Sequence, residues 1–249
     1  MSLGLPGPVF AVIGDIHYRP DDPHHPLHAV LRHVAEQDVA GILLVGDLAA
    51  SPLRRSSLGN AAVVAGYRAR VQAALALVSS LGPPVYWVPG NHDLPDIGRG
   101  ADAATLPGNI DGAVVELAGL RIAGLGGAGP DRFGFCYEWD EDSVRRRQVP
   151  DCDVLLCHTP PRDTPLDVTV YGDHVGSAAI RERALRHRGA LLCGHIHESP
   201  GVAKLGDCLV VNAGGLGHPF GKARVAYLGA ARAAVVIDLE SGQRSRGSR

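Results

Sequence analysis

The chain has 249 residues, 45% of them apolar and 20% charged, with a formal net charge of −2. That length and balance suit one folded α/β domain with its own core and exclude general disorder. The near-neutral charge removes any broad pull toward long nucleic acid, which is not an expected partner.

Apolar runs alternate with polar tips and helical spacings. Residues 8–13 read as a strand that stops at Gly14, and 27–37 as a helix with apolar positions at Leu27, Val30, Leu31 and Val34. Residues 41–45 form a second buried strand ending at Gly46-Asp47, the Ala-rich 60–80 a long helix, and 84–88 a third strand stopped by Pro89-Gly90. A hairpin follows, 114–117 and 120–125 around Ala118-Gly119. The glycine-rich 124–129 lacks the Lys-Ser/Thr of a P-loop and no helix opens directly after it, so it reads as a plain turn. Further on, 154–157 is a strand ending at His158, 177–187 a helix, and 190–193 a strand ending at Gly194-His195-Ile196-His197. Strands at 209–212, 223–228 and 233–239 complete the pattern, and the polar, basic 241–249 is expected to fray. No tandem repeat or linker interrupts the series, so residues 1–249 are taken as one domain. No apolar run reaches the roughly 18 residues of a membrane span and the start lacks a basic leader, so no membrane partner is expected and the compartment is read as the cytoplasm.

The five cysteines, Cys136, Cys152, Cys157, Cys193 and Cys208, are odd in number and form no CxxC pair. Buried reduced thiols are expected rather than disulfides or a cysteine-zinc site. The twelve histidines are the stronger clue. Several stand beside Gly, Asp or Asn where apolar runs end, and imidazole serves both metal binding and proton transfer.

Five short motifs terminate five strand-like runs: Asp15-Ile16-His17, Gly46-Asp47, Gly90-Asn91-His92-Asp93, His158 and Gly194-His195-Ile196-His197. Ligands collect at the carboxyl ends of strands in open α/β sheets, and glycine lets the chain turn sharply where a side chain must project. Taken singly, each motif is a turn or a polar core residue. Taken as an ordered set, they describe a site for two cations. A carboxylate such as Asp47 can hold one ion with each oxygen, and ions about 3.5–4 Å apart suit the hydrolysis of phosphate esters. Asp15, His17 and His197 would complete one shell, and Asn91, His158 and His195 the other. Two dications against two aspartates leave net positive charge for a phosphoryl group. Imidazole, carboxylate and amide ligands favour Mn, Fe, Zn, Ni or Co over Ca or Mg; the ligand types leave the choice within that group open, and Mn is taken first.

This ordered set resembles the calcineurin-like metallophosphoesterase superfamily over residues 15–197, and the final strands fit it too. The resemblance implies a four-layer α/β fold, with two mixed β-sheets packed face to face and helices outside. It implies two divalent metal ions on Asp15, His17, Asp47, Asn91, His158, His195 and His197, with Asp47 as the bridge. It also implies that His92, beside Asn91 at the substrate, contacts the phosphate and helps protonate the leaving oxygen, while a metal hydroxide attacks phosphorus in line. In the protein Ser/Thr phosphatases of that superfamily, Gly-Asp continues as Asp-Arg-Gly. Here Asp47 is followed by Leu48-Ala49-Ala50-Ser51, which lacks the phosphate-gripping Arg, and the carboxylate that orients the histidine is missing too. The chain has no room for the capping domain of the double-strand-break nucleases. The segments around His158-Thr159-Pro160-Pro161 and from Cys193 to Ser199 look like the small single-domain phosphodiesterases. The implied activity is hydrolysis of a small phosphodiester, such as a nucleotide or cyclic nucleotide. The alternatives are a phosphomonoesterase on a small metabolite and a metal-binding scaffold without catalysis.

Arg162, Tyr171, Asp173 and His174, in the polar segment after His158, and Arg99 could line a pocket but read as solvated loop. The cluster His24, His25, His28 and His33 reads as a solvated helix end, and Arg145-Arg146-Arg147 as a solvated charge run.

Overall fold

The computed structural model describes residues 3–51, 53–218 and 220–249. Their strands form two six-stranded sheets. In the first, β1 (Val9–Ile13), β2 (Gly41–Leu44) and β3 (Val85–Trp87) run parallel, and β10 (Arg224–Gly229), β11 (Ala233–Asp238) and β12 (Arg244–Ser248) extend the sheet antiparallel beyond β1. In the second, β5 (Leu120–Leu125), β6 (Val154–Cys157), β7 (Ala190–Cys193) and β9 (Cys208–Asn212) run parallel between antiparallel edges, β4 (Val114–Leu117) and β8 (Gly201–Leu205).

The two-residue period of a strand sorts its side chains between two cores. Phe10, Val12, Leu43 and Val45 point inward and meet Ile122, Val154, Leu156, Leu192 and Val211 of the second sheet. Their neighbours Ala11, Ile13, Ile42 and Leu44 point outward, under α1 (Leu27–Ala35) and α2 (Ala61–Ser79). On the far side Leu125, Leu155, Cys157 and Leu191 pack against Val144 of α3 (Glu141–Arg146) and Ile180 of α4 (Ala178–Arg186). The architecture is therefore helix, sheet, sheet, helix, as the sequence implied.

Two expectations need correction. Residues 241–249 do not fray: β12 pairs with β11 from Ala233↔Ser248 to Ile237↔Arg244. An edge strand exposes one face and one side, so backbone pairing holds it without an apolar sequence. Second, α2 is long and apolar enough to cross a membrane by length and composition alone. Counting apolar runs missed it because Arg68 and Arg70 interrupt the run. It lies along the first sheet, burying Tyr67, Val71, Ala74, Leu75 and Val78. Arg68 pairs with Asp96 and Asp102, and Arg70 donates to the Ala50 carbonyl. All five cysteines are free, with only Cys152 less than fully buried.

Candidate metal centre

The carboxyl ends of β1, β2 and β3 in one sheet, and of β6 and β7 in the other, open on the same rim of the sandwich. Each is followed within a few residues by one of the five motifs. The backbone is strained where those side chains leave it. Asp15, His17, Asp47 and His195 have φ of 43°, 45°, 52° and 67°. Non-glycine residues rarely adopt this left-handed region, and it persists only where surrounding structure enforces it. Gly46 and Gly90 allow the sheets to close. A Cβ at Gly46 would meet the backbone of Gly90 at 2.6 Å and Nδ1 of His158 at 2.7 Å, and one at Gly90 would strike the Asp47 carboxylate.

All seven proposed ligands are brought to this rim, and Asp15, Asp47, Asn91 and His158 are buried. Ligand atoms of Asp15, His17 and His197 lie within 4.8 Å of one another, as do those of Asp15, Asp47 and His158. Asp15 thus faces both groups, a position the sequence reading gave to Asp47 alone. Oδ2 of Asp47 lies 3.5 Å from Nε2 of His17 and 3.7 Å from Nε2 of His158. Nε2 of His158 is 3.0 Å from Oδ1 of Asn91, while its Nδ1 lies 2.6 Å from the Val45 carbonyl across the sheets. That carbonyl can only accept, so Nδ1 carries the proton and Nε2 presents a lone pair to the site. The His195 ring stacks obliquely on His158 at 4.9 Å, and its backbone N–H donates to Oδ2 of Asp15. The other Asp15 oxygen, Oδ1, is buried, and no contact to it meets hydrogen-bond geometry; Nε2 of His197 lies 3.2 Å away. A buried carboxylate oxygen without a well-aligned donor is costly, and a cation is a partner that this nitrogen-and-oxygen donor set fits.

Burial would raise the Asp15 carboxyl and lower the His197 imidazole. Their 3.2 Å contact overrides both, holding Asp15 below and His197 above the ordinary values. Burial dominates elsewhere, lowering His17 to about 4 and His195 to about 3. Both are therefore neutral donors at neutral pH. A folded-state pKa below that of the unfolded chain means stability is lost as pH falls from about 6.5 toward 4, where only the unfolded imidazoles take protons. In the metal-free protein, the His17 and His195 ring resonances should keep their neutral positions down to about pH 5. An NMR titration midpoint near 6.5 for either would refute this.

His92 lies at the mouth, its backbone N–H donating to Oδ1 of Asp47 and its Nε2 3.9 Å from Oδ2. Asp93 does not orient it. That carboxylate turns inward, accepting N–H groups of Asp47, Leu48 and Gly90 and the Tyr67 hydroxyl. The His92 ring is instead held between Phe135, 4.0 Å away, and His17, edge-on at 5.2 Å. Sequence reasoning missed Phe135, and it missed the Gly214–Gly217 turn after β9. There a Cβ at Gly215 or Gly217 would press on His197 or His17 at 2.5 Å. Repeated glycine directly after a strand was the available signal.

The glycine-rich 124–129 offers no free phosphate cradle. Gly126 donates to Asp111 and Gly127 to the Pro89 carbonyl. Arg99 is tied to Asp111. Arg162, Tyr171, Asp173 and His174 are exposed, with His174 also pairing with Asp167.

The calcineurin-like phosphoesterase family model matches residues 8–199, and the chain belongs to that family. The family is dinuclear and metal-dependent, and this chain carries candidate ligand residues for such a centre. One crystal structure resembles it with a TM-score of 0.68 at 18% identity, covering 96% of this chain and 98% of its own. A dimetal phosphatase from Danio rerio gives a TM-score of 0.57 at 13% identity, covering 93% and 95%. An uncharacterised protein of Methanocaldococcus jannaschii is 30% identical over 138 residues, which is 51% of this chain and 62% of that relative.

Proposed function

We propose that the chain hydrolyses small phosphodiesters, with two divalent ions, Mn first among them, held by Asp15, His17, Asp47, Asn91, His158, His195 and His197. The buried Oδ1 of Asp15, which accepts no well-aligned hydrogen bond and lies 3.2 Å from the His197 imidazole and 4.0 Å from that of His158, carries the reading. Such ions supply Lewis acidity and lower the pKa of water at phosphorus. The chain's own residues do the rest. Asn91 offers a neutral amide oxygen, so it holds a cation without adding repulsion toward the phosphate. His92, whose buried Nδ1 lacks a partner, presents Nε2 beside Asp47, where it can pass a proton to the leaving oxygen.

The charge around the cleft supports a preference for a diester. Among the described residues lining it, Arg19 is the one Lys or Arg, set against Asp22 and Glu198; Glu138 is taken up by backbone N–H groups, and Arg54 stands over the Phe135 ring. A monoester dianion demands more positive charge than a diester monoanion does. With Mn²⁺, kcat/KM should be higher for bis-p-nitrophenyl phosphate than for p-nitrophenyl phosphate. The opposite order overturns the diester preference, and no turnover of either, nor of cyclic nucleotides, overturns the phosphoesterase reading. His92→Ala should keep its metal while turnover falls by about 10²–10⁴-fold. Loss of metal in that variant would reassign His92 as a ligand.

A further inference from the structure

The cleft over the metal ligands has a volume of about 940 Å³, far more than a phosphoryl group needs. Its wall has a composition that folding does not explain. The chain has four phenylalanines; Phe10 is buried in the core, and Phe133, Phe135 and Phe220 all line this cleft. Phe133 is 56% exposed and Phe220 41%. A protein this sparing of phenylalanine leaves two of them in water beside its most reactive groups.

The rings are placed, not loose. Oε1 and Oε2 of Glu138 accept the N–H of Phe133, and Oε2 also accepts those of Gly134 and Phe135. Arg55 then pins the segment through Asp131 and the Gly134 carbonyl. From the metal ligands outward the sequence of rings is His92, Phe135 at 4.0 Å, and Phe133 a further 6.4 Å on. The Arg54 guanidinium lies over Phe135 at 3.8 Å and that of Arg132 over Phe133 at 4.8 Å. Phe220 lines the same cleft from the loop that the Lys222 N–H closes by donating to the Gly215 carbonyl at 3.0 Å.

We infer that Phe133 and Phe220 form a subsite for a flat aromatic arm of the substrate, an aryl group or a nucleobase, while its phosphoryl group lies at the metal ligands. This rests on the phosphoesterase reading above and adds which esters the site selects. Flat rings gain from offset or edge contacts with phenylalanine beyond what simple burial gives, whereas a saturated arm gains burial alone.

The test uses phosphonates, whose C–P bond survives the site, so that binding is read without turnover. Mn²⁺-loaded protein is titrated calorimetrically with phenyl-, cyclohexyl- and methylphosphonate, and adenosine 5′-methylenephosphonate serves as the nucleobase arm. Phenylphosphonate should bind about 10-fold tighter than methylphosphonate and tighter than cyclohexylphosphonate. In the Phe133→Ala/Phe220→Ala double variant that advantage should shrink to about 2-fold or less. The adenosine compound shows which ring is preferred: tighter binding than phenyl assigns a nucleobase, weaker binding an aryl group. Equal binding of phenyl and methyl, equal binding of phenyl and cyclohexyl, or an advantage that survives the double variant each overturns the subsite. Bis-p-nitrophenyl phosphate hydrolysis by the same wild-type preparation separates this failure from failure of the underlying reading.

Discussion

Asp47→Asn is expected to empty the metal centre and bring phosphate-ester hydrolysis to background while the fold survives. Oδ2 of Asp47 faces three imidazoles, those of His17, His158 and His92, at 3.5, 3.7 and 3.9 Å. Oδ1 is already engaged with the His92 N–H, so one oxygen is anchored and the other is offered to the site. Asparagine keeps that anchor and the side-chain shape. It places an amide nitrogen, with no charge and no lone pair to give, where the offered oxygen stood. One substitution thus removes a negative charge and a candidate ligand from the point where the two candidate groups meet. Metal content after Mn²⁺ loading, measured beside bis-p-nitrophenyl phosphate turnover and circular dichroism, checks this. Removing even a residue that merely supports a ligand costs about 10–100-fold in metal affinity, so a variant that binds Mn²⁺ as wild type does would show that Asp47 is no ligand.

The metal rim was legible because its signals are local. An apolar run of four or five residues, a glycine and then Asp, Asn or His can be read from the chain alone, and convergence follows from parallel strands ending on one side. The hidden parts depend on partners distant in sequence. β12 carries no apolar pattern, since its place is fixed by hydrogen bonds to β11. Phe135 looks like one aromatic residue in a loop until Glu138 gathers the preceding N–H groups and turns its ring onto His92. The turn at Gly214–Gly217 is readable as flexible, but the need for bare Cα atoms there comes from His17 and His197, one of them 200 positions earlier. Asp93 is the sharpest case. It stands next to His92, yet successive side chains leave the backbone in different directions, and this one serves the backbone beneath Asp47.

That hidden role makes Asp93→Ala a strongly destabilising substitution. Its carboxylate, fully buried, accepts the N–H of Gly90 at 2.7 Å, of Asp47 at 2.8 Å and of Leu48 at 3.2 Å, together with the Tyr67 hydroxyl. It thereby holds the left-handed turn at Asp47 against the turn at Gly90. Alanine leaves these four donors buried without a partner; at about 1 kcal/mol each, the low end for an unsatisfied buried group, a loss of about 4 kcal/mol is expected. Tyr67→Phe removes one donor and keeps the acceptor satisfied, so it should cost only about 1 kcal/mol. Burial and the Asp47 carboxylate push Asp93 up to about 7 in the metal-free protein, with the Tyr67, Gly90 and Leu48 donors pulling the other way. A carboxyl whose folded pKa lies above its unfolded value stabilises most at low pH, and that contribution declines as pH rises from about 4 through 7. Urea denaturation of metal-free wild type and Asp93→Ala should therefore show a wider gap at about pH 5 than at about pH 8. A gap that is the same at both, or a variant as stable as Tyr67→Phe, would mean that the turn at Asp47 is held by something other than this carboxylate.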